Sequence, residues 1–179
     1  MMKLLEDGFP LADLSIERIA RSARVGKAAI YRRWSDKEDL FVDVMRAAEP
    51  AKPELPGTSM RDDLVVLLES LRQRSLVRGS SAILHNAHAQ MRSSPKIWAA
   101  YHSGVITPGR DLGLEILRRG RVNGELRTDV DLELAIDMFV SPVLIRAFVL
   151  HDPDLPDGLA EQIVETALHG LRPVSPPSA

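Results

Sequence analysis

The sequence predicts an all-α fold in two parts, a small amino-terminal helical unit followed by a larger carboxy-terminal one. Three observations carry this prediction. Apolar residues recur at helical spacing between every pair of chain breaks. No run of alternating β-branched residues marks a strand, and aromatic residues make up only 4% of the 179. Pro50, Pro53, Pro56 and Gly57 fall close together, and proline removes a helical donor and biases its predecessor away from helix. This joint separates residues 1–48 from residues 59–172, with 49–58 as linker. Residues 173–179, which contain Pro173, Pro176 and Pro177, are expected as a flexible tail.

Each element follows from local signals. Ser15 is the expected N-cap of a helix over 16–23. A second short helix is expected over 27–34. A third spans 36–48, with Asp36 and Glu38 near its positive end. Thr58 or Ser59 opens a helix to about Val77, with Leu64, Leu67, Leu68 and Leu71 on one face. Ser81 is expected to open another through about Arg92. Ser94-Pro95 reads as a cap followed by proline at the first helical position. That helix extends toward Val122, where Asn123-Gly124 stops it, and Pro108-Gly109 is expected to bend or split it. Asp131 opens a helix through about Leu150, and Asp157 opens the last, through about Leu171.

Composition narrows the function classes. Hydrophobic residues are 45% and charged residues 27% of the chain, as in ordinary globular proteins. The longest apolar run, near 138–145, is interrupted by Ser141 and Pro142 and ended by Arg146. It falls short of the roughly 18 residues of a membrane span, so no membrane partner is expected. Met1 to Asp7 hold no apolar core or cleavage-like site, so no signal peptide is expected. The chain has no cysteine, which removes disulfides, thiolate metal sites and a cysteine nucleophile. A cytoplasmic location is the expectation. No P-loop, Gly-x-Gly-x-x-Gly, His-Glu-x-x-His or nucleophile elbow is present, so neither an enzyme nor a cofactor is expected.

Charge is unevenly distributed. The whole chain carries 23 Lys and Arg against 25 Asp and Glu, a formal charge of −2. Residues 17–37 hold Arg18, Arg21, Arg24, Lys27, Arg32, Arg33 and Lys37 against only Glu17 and Asp36. A basic patch on a mildly acidic body fits a local nucleic-acid contact; a solvated helix face rich in arginine fits the same count. Within this stretch two short helices are joined by Ala23-Arg24-Val25-Gly26. Ile16, Ile19 and Ala20, with Val25, Ile30 and Trp34, can form one small core, the arrangement of a helix-turn-helix. The second helix then turns Lys27, Ala28, Ala29, Arg32 and Arg33 outward. A helix fits the major groove, where Arg and Lys read guanine edges.

The runs Ser15-Ile16-Glu17-Arg18-Ile19-Ala20, Val25-Gly26-Lys27, Ile30-Tyr31-Arg32-Arg33-Trp34 and Ser35-Asp36-Lys37-Glu38-Asp39-Leu40-Phe41 resemble the TetR family of bacterial transcriptional regulators. The resemblance is specific over about residues 4–48; beyond that it rests on length and helix order. It implies an amino-terminal helix-turn-helix DNA-binding domain followed by a helical ligand-binding and dimerisation domain. The implied partners are double-stranded DNA, a second copy of the chain and an unknown small-molecule effector, and the implied role is a repressor released by that effector. Carried over position by position, Lys27, Ala28, Ala29, Tyr31, Arg32, Arg33 and Lys37 lie at the DNA surface, with Tyr31 and Lys37 on phosphate. A half-buried packing role for Tyr31 is the alternative.

The sequence departs from the family pattern in four places. Arg24 stands where glycine is common; if the turn needs positive φ, arginine costs about 1 kcal/mol. Gly26 stands where Ser or Thr would cap the next helix, and Ala29 stands where Thr would offer a hydroxyl. Only Met1 to Asp7 precede Gly8-Phe9, so the first helix is expected to be truncated; either translation starts further upstream, which is the expectation, or the DNA-binding unit is clipped. The truncated first helix and Ala29 support a second reading, a dimeric small-molecule or protein-binding module that has lost specific DNA binding; the basic stretch with Tyr31 and Lys37 speaks against it.

The carboxy-terminal region supplies the expected dimer contact. The helix over 131–150 is apolar nearly all round, and the last helix has one clean apolar face. Two such helices from each protomer make a four-helix interface, with Phe139, Val143, Ala147, Leu159, Ile163, Ala167 and Leu171 as its candidates. A monomer with both helices in its own core fits the same pattern. A two-fold dimer would read two half-sites of a pseudo-palindrome. For an effector site, His85, His88, Met91, Trp98, Tyr101, His102 and Val105 could line a mainly apolar cavity; core filling is the alternative. His85 and His88 alone make too few ligands for a metal, and no metal site is expected.

Overall fold

The computed structural model describes residues 1–48, 51–90, 92–148, 150 and 155–171, without the side chains of 78, 80, 170 and 171. Among the described residues ordered structure is helical throughout. The helices are α1 (Met2–Glu6), α2 (Ile16–Ala23), α3 (Lys27–Tyr31), α4 (Lys37–Ala47), α5 (Met60–Leu76), α6 (Arg78–Gln90), α7 (Pro95–Tyr101), α8 (Thr107–Val122), α9 (Leu132–Phe148) and α10 (Leu159–Leu171). A 3₁₀ turn covers Leu11–Asp13, and a π turn covers His102–Ile106.

The chain forms two compact units, and the division is not linear. One comprises residues 1–51 and 75–108, the other 52–74 and 109–179. The proline joint accounts for the first crossing, after Ala51. The region expected as a single domain over 59–172 is shared between both units.

In the first unit α1 packs on α6 and α4 on α7. The first helix has five residues, with Leu5 buried. Gly79 of α6 faces α1, where a Cβ would lie 2.7 Å from the flexible carboxylate end of Glu6. The Leu11 N–H donates to Asn86 Oδ1 at 2.6 Å, tying the 3₁₀ turn to α6. Ser94 caps α7 as expected, accepting from the Ile97 N–H at 3.2 Å. The helical path then continues through Pro108 without splitting. Proline cannot donate to the Gly104 carbonyl four residues back, and the backbone widens into the π turn just before it, with the Thr107 N–H bonded to the His102 carbonyl. Helix α6 begins at Arg78, earlier than the expected Ser81.

In the second unit α5, α8, α9 and α10 share one core that includes Met60, Leu64, Leu117, Phe139 and Val164. Gly113 and Gly120 of α8 make close approaches: a Cβ on the first would run into Ile136 of α9, and on the second into Met60 of α5. Gly124 ends α8 with φ +76°, a conformation that glycine adopts without steric cost. Asp131 caps α9, accepting from the Glu133 and Leu134 N–H groups. Helix α10 starts at Leu159, two residues beyond the expected Asp157.

Two charged groups are buried in this core. Asp63 is fully buried, is ion-paired with Arg119 and accepts from the Gly57 N–H at 2.8 Å. The Arg72 guanidinium is buried and donates to Glu69, to Asp157 and to the Leu155 carbonyl at 2.6–2.8 Å. The guanidinium holds the Glu69 carboxyl below its usual range.

The residues expected at the dimer contact differ in burial. Phe139, Val143 and Leu159 are buried within the second unit itself, and Ala147, Ile163 and Ala167 are half-buried against the same clusters. The Leu171 side chain lies outside the described residues, as do Glu49 and Pro50 of the expected linker and the expected tail over 173–179. Helix α9 packs its 139/143 face onto α10 and its own core, so those side chains have no area left for a partner. The outward face of α9 carries Leu134, Met138 and Ile145 instead.

Candidate nucleic-acid interface

Ser15 Oγ accepts from the Arg18 N–H at 3.2 Å and starts α2. Ile16, Ile19 and Ala20 turn inward. Arg24 ends the helix in the left-handed region, φ 55° and ψ 40°, while the Val25 N–H bonds back to the Ala20 carbonyl at 3.0 Å. This is the positive-φ position at which arginine adds a cost of about 1 kcal/mol. Among the described residues it is the one non-glycine residue with positive φ. Val25, expected in the small core, is 45% exposed, because the left-handed turn carries it past the α2 face.

Gly26 caps α3 with no side-chain hydrogen bond. Helix α3 is shorter than the sequence suggests, ending at Tyr31 rather than Trp34. Ile30 is its buried anchor. Lys27, Ala28, Ala29, Tyr31, Arg32 and Arg33 are all exposed, Tyr31 by 54%. The Trp34 indole is half-buried and donates to Asp43 of α4 at 2.8 Å. The Arg33 guanidinium lies over that ring, 4.8 Å from its centroid. A cation above an aromatic face is held in place but keeps N–H groups for an outside acceptor. Arg18 stacks likewise on Phe9, 4.6 Å from the centroid.

The two lysines of the set are engaged within the protein. Lys27 Nζ donates to Glu17 at 2.7 Å; this hydrogen bond raises the lysine's pKa and lowers the glutamate's. Lys37, expected on phosphate, is half-buried, and its Nζ donates to the Leu11 and Ala12 carbonyls at 2.6 and 3.0 Å. These carbonyls of the 3₁₀ turn hold the ammonium, leaving at most one of its three N–H donors for another group.

Asp36 caps α4, accepting from the Asp39 N–H at 2.8 Å. The first turn of α4 is therefore acidic, with Asp36, Glu38 and Asp39. Lys96 of α7 donates to Asp36 at 2.9 Å and to Asp39 at 2.8 Å, and Ser94 Oγ donates to Glu38 at 2.7 Å. These contacts hold Asp36 and Asp39 below the usual carboxylate range and raise Lys96. Sequence reasoning missed Lys96, since nothing in the local pattern links it to groups about sixty residues away.

The residues expected around an effector separate into pairs. Tyr101 is buried against half-buried His88, edge to face with centroids 5.2 Å apart. Trp98 and His102, both exposed, pair in the same way at 5.2 Å. His85 is exposed, with Nδ1 beside the Ser81 carbonyl at 2.9 Å. Val105 is half-buried in the π turn, and Met91 lies outside the described residues. Among the described residues no three His, Asp or Glu side chains cluster as a metal would require.

Known sequences match both parts of the chain. The family model described as bacterial regulatory proteins, tetR family, matches residues 9–44. The tetracyclin repressor-like carboxy-terminal domain matches residues 56–167. The chain belongs to the TetR family. It is 26% identical over 172 residues to YdeS of Bacillus subtilis strain 168, an uncharacterized HTH-type transcriptional regulator; the match covers 96% of this chain and 85% of YdeS. Among solved structures, the TetR family transcription regulator SCO0332 is 26% identical, with a TM-score of 0.63 and 95% and 92% of the two chains covered. A TetR transcriptional regulator from Agrobacterium tumefaciens shares the fold with a TM-score of 0.77, at 22% identity and 95% and 89% coverage. As a TetR-family transcriptional regulator, the chain has its helix-turn-helix where the exposed basic surface lies. No helix among the described residues is long and apolar enough to cross a membrane.

Proposed function

We propose that this TetR-family chain is a DNA-binding repressor that acts in the cytoplasm as a homodimer on a pseudo-palindromic duplex and is released by a small-molecule effector. The observation that carries the reading is the exposed face of Tyr31, Arg32 and Arg33, anchored by buried Ile30 and oriented by the Arg33–Trp34–Asp43 contacts. Arg32 and Arg33 supply charge for phosphate or guanine edges, and the Tyr31 hydroxyl can donate to phosphate. Lys27 joins this face by exchanging Glu17 for an outside acceptor. Lys37 contributes by bracing the 3₁₀ turn on α4.

The dimer reading moves to the outer face of α9. Leu134, Met138 and Ile145 are exposed, with Ser141 between the last two. Their spacing of four, three and four residues is that of a seam between packed helices. Effector release is proposed from the family resemblance, as the usual behaviour of TetR regulators.

Selection of duplexes from genomic DNA on the purified full chain tests the reading. An enriched pseudo-palindrome, lost in an Arg32→Ala, Arg33→Ala variant, is expected. The inward ammonium of Lys37 and the Lys27–Glu17 pair favour a second reading, a dimeric binding module without specific DNA affinity. Absence of any enriched sequence would decide for it.

A further inference from the structure

The first turn of α4 presents a difficulty for DNA binding. Asp36 follows Arg33 by three residues, so their Cα atoms are at most ~11 Å apart. That is about one Debye length at 0.1 M salt, within which a carboxylate still repels a phosphate. Asp39 lies in the same turn. Two carboxylates so close to the arginines of α3 oppose the charge those arginines bring.

We propose that Lys96 of α7 is a positioning residue that shields the DNA-facing surface, neutralising Asp36 and Asp39 so that α4 can approach the phosphate backbone. The geometry is specific. One ammonium reaches both carboxylates at 2.9 and 2.8 Å from an element some sixty residues away. Neither acid is dispensable to the turn, since Asp36 caps α4 and Asp39 accepts from the Ser35 N–H. The helix needs these acceptors and DNA binding disfavours their charge; a cation from outside the motif reconciles the two demands. Ser94 completes the contact by donating to Glu38. This inference rests on the DNA-binding reading above.

The test uses full-length protein and a fluorescent duplex of the sequence that the wild type enriches from a randomised library. Lys96→Met is expected to weaken binding about tenfold at 0.1 M salt and much less at 0.5 M, because salt screens exposed charge. Lys96→Arg should bind as the wild type does. Adding Asp36→Asn and Asp39→Asn to Lys96→Met should restore affinity to within about threefold, since asparagine caps a helix as well as aspartate. If Lys96→Met does not fold, Asp36→Asn, Asp39→Asn on the native Lys96 background still tests the idea, with equal or tighter binding expected. Wild-type affinity in Lys96→Met, a loss of the same size at both salt concentrations, or no rescue by the asparagines would overturn the shield. So would weaker binding by the Asp36→Asn, Asp39→Asn variant. Failure of the wild type to enrich any duplex would overturn the DNA-binding reading itself, and the shield with it.

Discussion

The two compact units use arginine in opposite ways. In the first, Arg32 and Arg33 stand in solvent at the end of α3, on a helix that needs only Ile30 to be anchored. In the second, Arg72 is buried, with four hydrogen bonds to Glu69, Asp157 and Leu155. An exposed guanidinium adds little to folding but keeps its donors for an outside partner. A buried one contributes structure, and removing it leaves acceptors without their donor. Burial, more than residue type, separates a binding arginine from a structural one.

The largest expected effect breaks the structural side. Arg72→Ala should destabilise the protein by ~3 kcal/mol, because it strips charge-assisted hydrogen bonds and leaves the Leu155 carbonyl without its donor. Urea unfolding measures this, and a loss below about 1 kcal/mol would mean that the network is incidental. Next comes Gly120→Val, which drives a side chain into Met60 of α5. A loss of about 2 kcal/mol is expected, read by the same titration. Arg24→Gly should act in the reverse direction. Relief of the left-handed strain is worth up to ~1 kcal/mol, offset in part by the greater freedom of glycine in the unfolded chain. Calorimetry should show a small rise in Tm.

The smallest effect concerns acid. The Glu69 carboxyl is held low by Arg72 in the folded protein. A carboxylate with a depressed folded pKa contributes stability that is present above its unfolded value, about 4.5, and is lost as pH falls through the folded one. Glu69→Gln should therefore flatten the decline in stability below about pH 4.5. An unchanged acid limb would assign that decline to other groups.

Much of this contrast was legible in the sequence. Ser15, Ser94 and Asp131 announced their helices through side chains that bond only a few residues away, and such local chemistry is written in order along the chain. The helix-turn-helix was legible because its core and its basic face alternate within one short segment. The inward turn of Phe139 and Val143 was not, since α9 is apolar nearly all round and its pattern cannot say which side meets its own core. Nor was the position of Lys37. A lysine at a helix start suits phosphate, and only folding brings the Leu11 and Ala12 carbonyls to it. Lys96 was invisible for the same reason.

The contrast is tested most directly by the salt dependence of duplex binding in the wild type and in Arg32→Ala, Arg33→Ala, alongside the stability of each. If the exposed arginines serve DNA, the double variant should bind at least tenfold more weakly, and its salt slope should fall by about one for each phosphate it no longer neutralises. Its stability should fall by no more than about 1 kcal/mol, the worth of the exposed Arg33–Trp34 stack. Unchanged affinity and slope, or a loss of binding explained by a loss of stability, would contradict the account.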